Sequence, residues 1–422
     1  MKHLKKFSTQ EDYTNGKSAL ALPYVCLVGE SIIYKPTYKP APDSDSPFYI
    51  EAESDIAITF SSACEISENG NDWNALTAGS PTSIAAGNKM YYRAEGLTAT
   101  PAAGIGSFSS TGGPFNIGGN IMSLLHGDSY KEQSTMQKYA FKKLFYNCID
   151  LTSAQKLALP AIVLSTACYN NMFYGCSSLS EFPALPATTL ASGCYSNMFY
   201  GCASLRTAPE LPATTLESNC YNSMFYYCTS LMTPPKLPAT TLADNCYAYL
   251  FAFCSALSSA PELPATTLAE GCYAMMFTAC KTIITAPELP ATTLASNCYG
   301  YMFQGCSNLV NAPELPATTL VEDCYNSMFL NCESLVRAPE LPALALTTNS
   351  SKEGCYQKMF SGCSSLSYIK AMFKTAPGQN YTKEWVNGVA SEGTFVKNAA
   401  ATWNATGVNG IPSGWTVETA TE

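Results

Sequence analysis

Histidine is almost missing from this chain: 422 residues hold two copies, His3 and His126. A histidine-based triad therefore has one realistic base and no identifiable partner, and no histidine lies among the many cysteines to complete a zinc site. No CxxC pair, P-loop, dinucleotide fingerprint, HExxH or GxSxG occurs, so neither catalysis, a cofactor nor a metal is expected. Charge is also scarce, at 13% of residues with a net of −9. Between Leu159 and Glu340 only Arg206, Lys236, Lys281 and Arg337 are basic, against twelve acidic residues, a local net of −8. Such a surface is a poor counterion for phosphates, which disfavours nucleic acid as a partner. No apolar run approaches the roughly 18 residues a membrane span needs. The opening MKHLKKFSTQEDY has lysines without the apolar stretch of a secretory signal, so the chain is expected to start in a cytoplasm.

What the chain does have is repetition. Leu159, Leu185, Leu211, Leu237, Leu263, Leu289, Leu315 and Leu341 stand 26 residues apart, each followed by proline, in a unit LPATTLxxxCYxxMFxxCxxLxxAPE. An incomplete unit with Phe141, Leu144, Phe145, Cys148 and Leu151 precedes them, and the last unit carries five extra residues. Leu216, Cys220, Tyr221, Met224, Phe225 and Cys228 fall at i, i+4, i+5, i+8, i+9 and i+12, which predicts a short helix. The second Thr of Ala-Thr-Thr-Leu stands where its N-cap belongs, with Glu270 or Glu322 three residues on in two copies. After the second Cys an extended segment is expected, and Pro209 and Pro212 bar it from being an ordinary central strand. Neither piece makes a core alone, but stacked copies do. The expectation is an α/β solenoid.

These residues resemble the leucine-rich repeat of BspA-like bacterial surface antigens. In CxxLxxAPELP…CYxxMFxxC, Ala208 and Leu211 take the two Ile positions of that family's unit, and Tyr221 and Met224-Phe225 lie near its Ala-Phe pair. The period is longer and Ala-Pro replaces a β-branched residue, which argues against a continuous parallel sheet.

Sixteen of the 19 cysteines form eight i, i+8 pairs. In a helix such partners lie about 12 Å apart, beyond disulfide reach, so cysteine reads as a small buried hydrophobe, with bridges between adjacent turns as the alternative. The consensus tyrosines (Tyr221 and its counterparts) are expected in or near the core, each hydroxyl reaching a backbone carbonyl of the next turn. Tyr174, Tyr200, Tyr226, Tyr227, Tyr249, Phe253 and Tyr301 differ: other copies hold Gly, Asn, Ser or Gln there. They are candidate binding residues for sugars or a protein partner, against the plainer reading of an amphipathic surface. Glu210, Glu262, Glu288, Glu314 and Glu340 share one register, interrupted by Lys236. They read as a solvated acidic edge or as a ladder attracting a cation.

Four parts are expected: an N-terminal attachment segment (1–47), a small β-sandwich-like module (48–118), the solenoid (119–369) and a C-terminal cap (370–422) holding Trp385, Trp403 and Trp415. This layout is similar to modular proteins of Bacteroides-group bacteria and their phages, in the MKHLKKF opening, the PYVCLV…YKP segment and the IPSGWTV ending. The resemblance implies a virion protein, a tail fibre or receptor-binding component meeting host surface glycans or proteins. It implies virion partners for the N-terminal segment and a homo-trimer as one assembly. The alternatives are a head fibre or decoration protein acting as a rigid spacer, and a leucine-rich-repeat adhesin or scaffold of the bacterial cytoplasm or surface.

Overall fold

The computed structural model describes residues 43–346, 354–378 and 380–420, with the strands β1 (Val25–Val28) and β2 (Ser31–Tyr34). Two compact units result, 1–40 and 41–422. Of the first, β1 and β2 pair antiparallel; the rest of the expected attachment segment, up to residue 42, lies outside the described residues, as do residues 347–353 of the longer last unit.

The second unit opens with β structure. Strands β3 (Tyr49–Ala52), β4 (Ile56–Phe60), β5 (Cys64–Ser67), β6 (Asn74–Leu76), β7 (Pro81–Ile84), β8 (Lys89–Arg93), β9 (Phe108–Thr111) and β10 (Phe115–Asn120) form two sheets. One is β7-β4-β9. The other is β11-β10-β3-β8-β5-β6, in which β11 (Leu151–Ala158) belongs to the first solenoid turn and pairs parallel with β10. Alternation in β4 and β8 puts every second side chain inside. Phe48, Phe60, Tyr92 and Phe108 close this core, with Phe60 stacked on Phe108 at 4.4 Å.

The repeats form a solenoid, but the expected helix is not in them. Among the described residues the one α-helix is α1 (Ser123–His126), followed by a 3-10 turn at Gly127–Glu132. Each CYxxMFxxC segment is instead a ribbon of overlapping turns with two alternating kinds of hydrogen bond. In one turn the N–H groups of Cys220, Asn222, Met224, Tyr226 and Cys228 each donate three residues back, at 3.1–3.2 Å. Those of Asn219, Tyr221, Ser223, Phe225 and Tyr227 donate to the next turn, at 2.9–3.0 Å. Every donor of the ribbon is thus satisfied without a helix or a strand.

The backbone enters the left-handed region every fourth residue, at Asn219 (φ 57°), Ser223 (φ 53°) and Tyr227 (φ 59°). The same three positions are left-handed in the neighbouring turns, where they hold mostly Asn, Gly and Ser, residues that bear this conformation at least cost. The ribbon's period is therefore four, and over twelve residues the apolar spacing fits 4.0 as well as 3.6. The second Thr is not an N-cap either. It pairs with its counterpart one turn on, as in Thr215↔Thr241 and Thr267↔Thr293.

The extended segments meet only through such isolated parallel bridges, for example Thr207↔Thr233 and Asn311↔Arg337. Continuous parallel pairing occurs where the proline pattern stops. It holds in β11, and at the far end where β12 (Tyr368–Ala371), β13 (Thr394–Lys397) and β14 (Thr416–Thr419) form one sheet. Proline lacks the N–H that a ladder needs.

Rows of identical side chains fill the interior. Tyrosines from Tyr169 to Tyr356 stack with ring centroids 5.6–5.9 Å apart, and phenylalanines from Phe145 to Phe360 at 5.5–5.8 Å. The phenylalanine row enters the β module through Phe108, 5.4 Å from Phe145. It ends on Trp385, 6.2 Å from Phe360.

The residues beyond 369 are not only a cap. Tyr356 and Phe360 donate to Tyr381 and Trp385 as in any other turn, at 3.0 and 2.8 Å, and Glu384 and Gly388 take the left-handed positions. One more turn therefore follows with Trp385 in the Met register. Trp403 then stacks on Phe373 at 4.9 Å to close the end.

Candidate functional site: an exposed aromatic cluster

The 18 cysteines from Cys64 to Cys363 are all free and buried. The second of each pair has a defined partner: the thiol of Cys202 donates to the carbonyl of Phe173 at 3.2 Å, that of Cys228 to Phe199 at 3.1 Å and that of Cys254 to Phe225 at 3.0 Å. Burial pushes the thiols up, to about 12 at Cys194, Cys246 and Cys306, so nucleophilic thiolate is suppressed. The consensus tyrosines are in the core, yet the hydroxyls of Tyr221, Tyr247 and Tyr273 have no hydrogen-bond partner among the described residues. For these three the expected bond to the next turn's carbonyl is not made: their rings lie in a tight stack of buried tyrosines, where packing sets their position.

The five glutamates Glu210, Glu262, Glu288, Glu314 and Glu340 are all exposed. Among the described residues no three His, Cys, Asp or Glu side chains converge as metal ligands. The row ends in an ion pair, Glu340 with Lys370 at 2.9 Å. The exposed carboxylates fit the solvated acidic edge, one per turn.

The variable aromatics do converge. Tyr174 stacks on Tyr200 at 4.4 Å, and Tyr200 on Tyr226 at 4.7 Å. Tyr227 stacks on Phe253 at 4.6 Å, and Tyr226 meets Tyr227 edge-on at 4.9 Å and Phe253 tilted at 5.2 Å. Tyr249 leans on Tyr226 at 6.2 Å. Tyr301, two turns past Tyr249, makes no ring contact with this group. Tyr146 joins the row at 4.8 Å from Tyr174. It was missed because it belongs to the irregular first unit, although its place after Phe145 matches that of Tyr174 after Phe173.

Two backbone settings supply the cluster. Tyr174, Tyr200 and Tyr226 occupy the position before the third left-handed residue, and their side chains form one column. Tyr227, Tyr249, Phe253 and Tyr301 are themselves left-handed, with φ between 58° and 63°. Gly175, Gly201 and Gly305 fill the register of Tyr227 and Phe253 in other copies. Bulky side chains cost about 1–2 kcal/mol there relative to glycine. Stacking uses up the faces of the column, leaving ring edges and hydroxyls to solvent. Tyr200, between two others, has its phenol pushed up to about 12 by burial and by the neighbouring Tyr174 and Tyr226. The cluster is a set of hydroxyl donors and acceptors on an apolar base, with Tyr227 43% exposed.

Fold and surface together define a repeat solenoid, closed at one end by a β module and at the other by a tryptophan-rich turn, with an aromatic cluster on its outside. No protein-family model matches the chain, and no curated protein matches it in sequence. Among the described residues no helix is long and apolar enough to cross a membrane.

Proposed function

We propose that this is a non-enzymatic binding and structural protein of a phage virion, a tail-fibre or receptor-binding component of the BspA-like leucine-rich-repeat kind. Its aromatic cluster is the face offered to host surface glycans or proteins. The observation that carries the reading is the placement of Tyr227 and Phe253 in left-handed backbone. The repeat folds with glycine there in other copies, and the stacking of the two rings does little more than offset their backbone cost, so they add little to the fold and are available for contact. Aromatic groups with an apolar body and a polar tip are the residues that dominate binding surfaces.

Adsorption tests this. Labelled full-length protein should stain cells of a Bacteroides-group host and compete with phage for them, and the double variant Tyr227→Gly/Phe253→Gly should do neither. Immunogold labelling of virions should place the chain on the tail. A second reading, a rigid head-fibre or decoration spacer, draws on the unbroken aromatic row from Phe60 to Trp385. Label on the head with no cell staining decides for it.

A further inference from the structure

A groove of about 520 Å³ opens where the extended segments of the last turns meet β12. That size lies within the roughly 300–1,000 Å³ of ordinary small-ligand sites. Its polar lining is Asn311, Glu314, Arg337, Glu340, Tyr368 and Lys370, with four prolines making up much of the remainder.

Arg337 sets this groove apart. Its register holds Thr207, Thr233, Thr285 and Asn311 in other copies, so the cation is peculiar to this turn. The guanidinium lies 3.6 Å from the centre of the Tyr368 ring. The two backbones are held together by a parallel bridge, with the Ala338 N–H donating to the Tyr368 carbonyl at 3.0 Å. Stacking on an aromatic face fixes the plane of a guanidinium and leaves its N–H edge free. That edge has no carboxylate within ion-pair distance among the described residues, whereas Lys370 is engaged by Glu340 at 2.9 Å. Glu314, exposed and without an ion pair among the described residues, lines the same groove beside Asn311.

We infer that this groove binds an acidic saccharide, with the sugar carboxylate on Arg337 and ring hydroxyls donating to Glu314 and Asn311. Two cations and two carboxylates make the groove neutral, which suits one carboxylate and penalises a doubly charged phosphate. Free acceptors beside one free cation ask for a ligand that carries hydroxyl donors as well as one anionic group. Prolines and the Arg337–Tyr368 stack pre-order the walls, which lowers the entropy lost on binding. The assignment does not rest on the aromatic cluster, whose residues lie in other turns.

Calorimetric titration of the full-length protein tests it with three probes: a trisaccharide of two galactoses and one galacturonate, the neutral galactose trisaccharide and an end-blocked tetrapeptide with one glutamate. The acidic saccharide should bind, with the other two weaker by about tenfold or more. Arg337→Ala should weaken it about tenfold or more, Arg337→Lys should fall between, since lysine lacks the bidentate fork, and Glu314→Gln should weaken it severalfold. The double variant Tyr227→Gly/Phe253→Gly should bind the trisaccharide normally, which separates this site from the aromatic surface. Unchanged thermal midpoints check that the exposed substitutions leave the fold intact. Three results overturn the inference: no heat with the acidic trisaccharide at millimolar concentration, an Arg337→Ala protein that binds it unchanged, or the peptide or neutral sugar binding as well.

Discussion

Tyr227 and Phe253 stack at 4.6 Å with 16° between their planes, and both rings spring from left-handed backbone. The ring contact is worth about 0.5–1.5 kcal/mol, much the same as the conformational cost of holding a bulky residue there. Tyr227→Gly should therefore shift stability by less than about 1 kcal/mol. The buried Tyr221→Ala should cost about 3–5 kcal/mol. Urea melts of the two variants read the contrast, and a Tyr227→Gly protein as damaged as Tyr221→Ala would remove the case for the cluster as a contact surface.

Gly201 separates the turn ribbon from the helix that the repeat suggests. It sits at φ 70°, with nothing nearer to an added Cβ than 3.8 Å. Gly201→Ala should therefore destabilise by about 1–2 kcal/mol through backbone strain alone. Inside a helix the same change would stabilise by about 0.5–1 kcal/mol. The sign of the shift in the denaturation midpoint decides.

Circular dichroism gives an independent reading of the same point. With one four-residue α-helix among the described residues, the far-ultraviolet spectrum should lack the paired helical minima. A helix in every repeat would make them its dominant feature.

Alkali should unfold this protein abruptly. The buried thiols keep their protons to about 12 or beyond in the folded chain, against about 9 when unfolded. Above pH 9 the unfolded state therefore binds fewer protons, and stability falls as pH rises. Each such group contributes about 1.4 kcal/mol per pH unit. Their stabilising effect is complete below pH 9 and is lost progressively between 9 and 12. With 18 buried cysteines, loss of near-ultraviolet signal should begin within about one unit above pH 9. A chain still folded at pH 11 would contradict the burial.

Thiol reagents should find those 18 cysteines inert at neutral pH and reactive once the chain is unfolded. Rapid labelling of the native protein at Cys228, whose thiol is held by the Phe199 carbonyl, would show that the rows open locally.

Much was legible in the residues themselves. A strict 26-residue spacing of Leu-Pro, with Cys, Tyr, Met and Phe in register, requires stacking, because one unit has no core of its own. Prolines in the extended segments between β11 and β12 exclude a continuous sheet there. The variable aromatics stood out because the repeat does not need them. The tertiary structure decided the rest. Whether twelve residues coil at 3.6 or 4.0 per turn depends on where every second N–H finds its acceptor. For Phe225 that acceptor is the carbonyl of Leu250, a full turn away along the chain. No local pattern encodes a bond whose partner arrives only with the next turn. The same holds for which tyrosines touch. Tyr146 joins Tyr174, Tyr301 stands apart, and Arg337 gains Tyr368 because stacking, not sequence distance, makes neighbours.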